Sequence, residues 1–482
     1  MLVRQLIILC CLFLLPKITQ AQLTENPILK QWIKKDAQYN DPENGNPILP
    51  GYYADPTIIE DKGTFYIYAT SDLTFWDDIT KLGVWSSKDL KNWTCDYLNW
   101  PTREQCISTT GKPDGVWAPS VVKGKDGNFY MYVTVGREIW VGVAPNPLGP
   151  WKNARSDNQP LIRHKSFYYV ETIDAECFID DDGEAYLYWG SSDSGYNIEG
   201  RCLAVKLNAD MVSFNDAPRD VTPPHFFEAP YMIKRNGIYY LMYSYGHTWD
   251  KTYQVRYATG KTPYGPWEEG RTRPILIGND QPDRITSTGH HTVLTYKGKD
   301  YIVYHRFNTM DNYDIAAKLR QVAMDELHFD EDGEIVHVVS THKGIDPIIP
   351  NDSKNLALEA HTTSSSTLDT ITKSAYVNDE NNGTLWIGMP SEEAWVQLDF
   401  EKEIQSTRVE IYPEFPIYTY SYRIETSKNG QDWENVKDAM DNGAIGSPLV
   451  LEKKMKMRYL RVYFSTPDNT PRPGIWELKV YE

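Results

Sequence analysis

Helical signals are almost missing from this chain of 482 residues: no stretch sustains apolar spacing at i, i+3, i+4 and i+7 between recognisable caps. That argues against bundles and coiled coils. Basic charge is short as well. Lys and Arg total 49 against 66 Asp and Glu, a net charge of −17, so phosphate backbones and anionic lipid surfaces repel the chain and no nucleic-acid partner is expected. Cysteine is scarce, six in all, and the absence of any CxxC disfavours a zinc site. Only one long apolar run occurs, at residues 6–16, preceded by Arg4 and followed by Thr19-Gln20-Ala21. Residues 1–21 therefore read as a signal peptide cut between Ala21 and Gln22, with the mature protein secreted or periplasmic. Cys10 invites a lipoprotein reading, which the bulk of Leu9 and the apolar run beyond Cys11 disfavour. No other stretch approaches the roughly 20 apolar residues of a membrane span. Of the four cysteines left after cleavage, Cys95 and Cys106 enclose a short loop and are a candidate disulfide, with free thiols as the alternative.

Aromatic residues are abundant, 13% of the chain, within a composition 41% hydrophobic and 24% charged, which is that of a folded globular protein. They recur in a pattern. Five segments, 54–71, 118–135, 173–191, 227–244 and 289–306, each carry an apolar pair, a polar turn with glycine, then alternating aromatics. Their turn glycines Gly63, Gly127, Gly183, Gly237 and Gly298 lie 64, 56, 54 and 61 residues apart, room for four strands each. Such repetition predicts an all-β five-bladed β-propeller over 22–343, a sandwich or barrel being the competing reading. Pro-containing residues 344–354 read as a linker, and the alternating strands of 355–482 as a β-sandwich, jelly-roll-like, that serves as a binding or structural module.

Counting back from the turn glycines, Asp55, Asp174, Glu228 and His290 fall eight or nine residues upstream, at the start of the strand that lines a propeller channel. Acids drawn to one mouth from separate blades repel, which splits their pKa values and suits general acid–base work on a glycosidic bond. Trp117, Tyr52, Tyr53 and Phe227 are candidates to stack on sugar rings, although turn or capping roles remain open for each Asp. His290 is either a satisfied rim histidine or a ligand to a cation in the channel. Arg306 and Arg320 are candidates to pair with the acids or reach a sugar hydroxyl, and Asp180-Asp181-Asp182-Gly183 reads as a hairpin turn rather than a calcium loop.

The motifs GYYADPTI (51–58), VWAPSVV (116–122), IDAECFIDDDG (173–183), FEAPYMIKRNGIYYLMYS (227–244) and GHHTV (289–293) resemble glycoside hydrolase family 43 over about residues 45–340. The resemblance implies an inverting mechanism with Asp55 as general base, Glu228 as general acid and Asp174 tuning the acid. It also implies His290 near a structural calcium or water site and Arg320 near the sugar, with no catalytic cofactor. The tail resembles the discoidin (coagulation factor 5/8 type C) fold and carbohydrate-binding module family 32 through NLAL (355–358), WVQLDF (395–400), SKNGQDW (427–433) and RYLRVYF (458–464), while Asn378-Asp379-Glu380 departs from the usual Asp-Gly. The expected protein is a monomeric exo-acting α-L-arabinofuranosidase or β-D-xylosidase on plant polysaccharide. An endo-arabinanase, a galactan- or galactofuranose-directed enzyme, and a catalytically inactive sugar-binding propeller are the alternatives.

Overall fold

The computed structural model describes residues 38–73, 78–107, 115–192, 199–249, 251–279, 283–307, 309–310, 319–350, 353–391, 393–466 and 471–482. The predicted leader lies outside them. Among the described residues no helix is long and apolar enough to cross a membrane, and Ala37–Glu482 form one compact unit.

The five repeats are five antiparallel blades. Their inner strands are Tyr53–Asp61, Val116–Lys123, Glu176–Ile179, Glu228–Arg235 and Gly289–Tyr296, each turning through its glycine into a second, aromatic strand. The turn glycines share φ of +77 to +84°, a left-handed conformation that only glycine adopts without steric cost. Blades are sandwiched on both faces, so alternate residues of one strand feed two cores: Met131 and Val133 pack toward blade one, Tyr130 and Tyr132 toward blade three. This is why the second strands read as unbroken apolar and aromatic runs instead of alternating ones.

The ring closes through the N-terminal segment. Blade five has three strands, Gly289–Tyr296, Lys299–Phe307 and Arg320–Leu327, and the N-terminal segment Asn46–Ile48 docks along the last of them. Ile48 N donates to Val322 O at 2.9 Å, Met324 N donates to Asn46 Oδ1 at 2.8 Å, and Asn46 Nδ2 donates to Met324 O at 3.1 Å. Val338–Val339 instead joins blade four, parallel to Leu276–Ile277.

The C-terminal strands form one folded sheet in which Ala394–Pro413 and Leu449–Phe464, kinked by register shifts near Asp399 and Ser406, serve both layers of a sandwich around Val396, Leu398, Ile411, Leu460 and Val462. The sandwich packs on the propeller. Tyr52, Met310, Leu319, Ile387 and Trp476 share one apolar cluster, Tyr52 Oη meets Glu414, and Ile345, Ile348 and Ile349 of the expected linker pack on the core of blades one and five.

Two readings are corrected here. Cys95 and Cys106 are free, buried thiols. Cys95 belongs to the core between blades one and five and Cys106 to that between blades one and two, so the blade itself separates them. Tyr53 is not at the mouth but 1% exposed in the core, its hydroxyl 3.0 Å from Tyr97 Oη and 3.6 Å from Cys95 Sγ. Tyr52 is likewise absorbed into the contact with the sandwich.

Candidate active site

Four of the five inner strands open with a register shift, and in every blade the residue at this place has positive φ: Asp55 (51°), Ala118 (49°), Asp174 (58°, two residues before its strand), Ala229 (55°) and His290 (41°). Bulges of this kind re-aim side chains at the rims of closed β structures, and left-handed conformations of branched residues are kept where surrounding contacts enforce them. The shared place is therefore Asp55, Asp174 and His290. Glu228 stands one residue earlier, level with Trp117 in blade two, which corrects the count that put it beside the other acids.

Contacts from the preceding blade hold these turns. Thr70 Oγ1 accepts from Ala118 N at 2.9 Å, Thr134 Oγ1 from Asp174 N at 3.2 Å, Ser244 Oγ from His290 N at 2.9 Å, and His305 Nδ1 from Asp55 N at 3.3 Å. In blade three the chain has Gly190 instead, packed so closely that a Cβ would lie 2.1 Å from Arg201 O. With no hydroxyl there, the Ala229 amide hydrogen-bonds Asp174.

The two outer acids meet opposite environments. Asp55 Oδ1 lies 3.0 Å from Arg320 Nη1, 3.1 Å from His305 Nδ1 and 3.2 Å from His290 Nδ1, while Oδ2 accepts from Thr70 Oγ1 at 2.8 Å. Burial alone would raise its pKa, but Arg320, His290 and His305 outweigh it and hold Asp55 well below the usual carboxylate range. Arg320 is fixed in turn by Asp72, through Nε at 2.9 Å and Nη2 at 2.8 Å. Glu228 accepts from Tyr253 Oη at 2.8 Å and Ser191 Oγ at 3.2 Å, yet burial, with the Asp55 charge adding to it, pushes it up to about 7. Asp174 is raised well above its ordinary value by burial and then by Glu228 and Asp55, so Asp174 and Glu228 titrate as a pair. Two residues beyond Asp174, Glu176 accepts from Ser120 Oγ at 2.7 Å and burial lifts it to about 8.

Of the residues singled out by sequence, Asp55, Asp174, Glu228, His290 and Arg320 come together. Trp117 is half-buried, and Phe227 is nearly buried with its ring edge-on to His247 at 5.2 Å. Arg306 does not reach the acids; it is buried against Asn46 O, Thr341 O and His342. His290 Nδ1 lies between Asp55 and Asp174, 3.7 Å from the latter, and burial pushes its pKa down to about 4. Among the described residues no three His, Cys, Asp or Glu side chains group to hold a metal. One imidazole is not the cage of six to eight oxygens that calcium takes, so these residues do not fit a protein-held calcium. Sequence reasoning missed Asp72, His305, Tyr253 and Ser191. Their signal was positional: Asp72 follows the second strand of its blade directly, Ser191 follows its own after Gly190, and His305 lies near the end of the second strand of blade five.

A closed propeller that brings one ionised and two proton-holding carboxyls from three blades to one mouth is the apparatus of a glycoside hydrolase. The chain belongs to the glycosyl hydrolases family 43, whose profile matches residues 44–335, and an F5/8 type C domain matches residues 360–478. It is 36% identical over 324 residues to the β-D-galactofuranosidase xynD of Aspergillus niger, covering 63% of this chain and 87% of that one. It is 28% identical over 343 residues to a xylosidase/arabinosidase of Bacteroides ovatus, covering 60% and 96%. A solved structure described as a glycoside hydrolase superposes with a TM-score of 0.77 at 28% identity, covering 92% of this chain and all of the other.

Proposed function

We propose that this chain is an exported, monomeric, inverting glycosidase that removes terminal α-L-arabinofuranosyl or β-D-xylosyl units from plant polysaccharide. The observation that carries the mechanism is the opposed pair of environments at the mouth. Asp55, kept ionised by Arg320 and two imidazoles, is the general base: it takes a proton from water as that water attacks the anomeric carbon. Glu228, raised to about 7, is the general acid: it gives its proton to the glycosidic oxygen as the C–O bond breaks. Asp174 is the positioning acid: it titrates together with Glu228, so the two carboxyls share the task of keeping a proton at the mouth, while the Asp55 charge adds to burial in favouring the protonated form of Glu228. Trp117, Phe227 and Arg320 face or frame the bound sugar. His290 acts through its Nδ1, 3.2 Å from Asp55 and 3.7 Å from Asp174, and no step passes through a metal.

The xylosidase/arabinosidase relative supports the pentosyl substrate. The A. niger relative favours a second reading, a terminal galactofuranosyl unit, because its identity to this chain is the higher of the two. Kinetics on aryl arabinofuranoside, xyloside and galactofuranoside separate these sugars. Proton NMR of the first product tests the mechanism: inversion agrees with a base and an acid about 6.5–9.5 Å apart, and retention would make Asp55 a nucleophile.

A further inference from the structure

Three rings run outward from the proposed acid. Phe227 immediately precedes Glu228, and its N–H donates to Ser244 O at 3.0 Å. Its ring meets His247 at 5.2 Å, and His247 lies parallel to Trp249, centroids 5.0 Å apart at 10°. Trp249 is 45% exposed, whereas the other tryptophans among the described residues are buried or part-buried. Its loop is held at both ends by segments of the site. Gly246, with φ +89°, lets the chain pass so close to Thr252 that a Cβ would stand 2.9 Å from its carbonyl. On the other side the buried Ser287 hydroxyl, three residues before His290, donates to Thr248 O. An indole fixed in this way offers a flat apolar surface, to which the C–H face of a pyranose or furanose ring is complementary.

We propose that Trp249, backed by His247, is the subsite for the sugar on the leaving-group side of the scissile bond, so that the enzyme recognises a backbone sugar as well as the unit it releases. The side follows from the acid: the rings start beside Glu228, which protonates the leaving oxygen, whereas Asp55 and Arg320 attend the released sugar. The inference rests on that role for Glu228.

The test compares a branched oligosaccharide with the glycosyl fluoride of the same terminal sugar, an activated glycoside whose leaving group is too small to reach the indole. Trp249→Ala should raise KM for the oligosaccharide about tenfold, the size of one lost stacking contact, with a several-fold smaller loss on the fluoride. Trp249→Phe should recover most of the affinity, and both variants are checked for an unchanged melting temperature. An unchanged KM for the oligosaccharide, or equal losses on both substrates, overturns the subsite. Failure of the underlying reading looks different: Glu228→Gln would then lose as much on the activated glycoside as on the natural one.

Discussion

Two pairs of buried carboxyls in this molecule look alike to electrostatics and differ in everything else. At the propeller mouth Asp174 and Glu228 are raised beside the depressed Asp55. In the sandwich, burial lifts Asp379 to about 6 and raises Glu477 well above its usual range, beside Glu380, which Lys91 and Asn355 help to depress. The difference lies in who satisfies them. The mouth acids meet hydroxyls, an arginine and aromatic rings that leave room for a substrate. The sandwich acids meet their own loop: Asn381 N donates to Asp379 Oδ1 and to Glu477 Oε1, both at 3.0 Å, and Thr384 Oγ1 donates to Asp379 Oδ2 at 2.8 Å. That loop grips the propeller's leading segment, with Glu43 N donating to Asp379 O at 2.8 Å and Asn381 Nδ2 to Tyr39 O and Asp41 O. A divided set of pKa values marks strain in the charge arrangement, and access and lining decide whether the strain serves chemistry or holds two domains together.

The comparison breaks most sharply on turnover. Glu228→Gln should lower kcat on unactivated glycosides by about 10²–10⁴-fold and cost far less when the leaving group needs no proton. Asp55→Asn should lose both substrates, and Asp379→Asn should keep kcat while altering melting. A folded Asp379→Asn protein without turnover would erase the distinction. On stability the order reverses. A carboxyl raised in the folded state stabilises fully below its unfolded pKa and loses that contribution as pH rises through the folded one, a loss that for Asp379 is complete just above about 6. Melting temperature should fall as pH rises from the ordinary carboxyl range through about 6, and Glu477→Gln should flatten the fall, since Glu477 is raised in the same direction. Thr70→Val removes one hydroxyl that serves both Asp55 and Ala118, and kcat should drop about tenfold with little change in KM. The smallest effect is a displacement of the pH–rate profile. Its alkaline limb should lie near 7, where Glu228 loses its proton, and Asp174→Asn should move it to lower pH while Glu477→Gln leaves it in place.

The blades were legible because a turn glycine with positive φ, preceded by an apolar pair and followed by aromatics, recurs at nearly constant spacing. The acids were legible to within one residue. Counting from the glycines could not see the opening irregularity that places Ala229, and not Glu228, level with Asp55 and Asp174. Tyr53 was misread because the irregularity between Ala54 and Thr57 breaks the strand's alternation: two residues apart, Tyr53 packs on Trp85 in the core while Asp55 meets Arg320 and the imidazoles. Asp72 and His305 were invisible for another reason. Their partners lie 248 and 250 residues away in the chain, and only closure of the ring brings them together. In the sandwich, the 20-residue strand Ala394–Pro413 is hard to see as one element, since its register shifts interrupt the alternation where it passes between layers.

The docking of Asn46–Ile48 on blade five has a consequence in time. Asn46 and Met324 are 278 residues apart, so in synthesis the leading segment emerges long before the strand that will receive it exists. Until then blade one is an open edge, and every intermediate is an incomplete ring with unpaired backbone groups. The entropy of closing so long a loop grows slowly with length, about 0.6 kcal/mol per doubling, but contacts of this range slow the search for the native arrangement. The Tyr39–Asp41 stretch waits longer still, for Asn381, 342 and 340 residues downstream. The chain thus becomes kinetically secure only when the C-terminal sandwich arrives and fastens the Tyr39–Asp41 stretch.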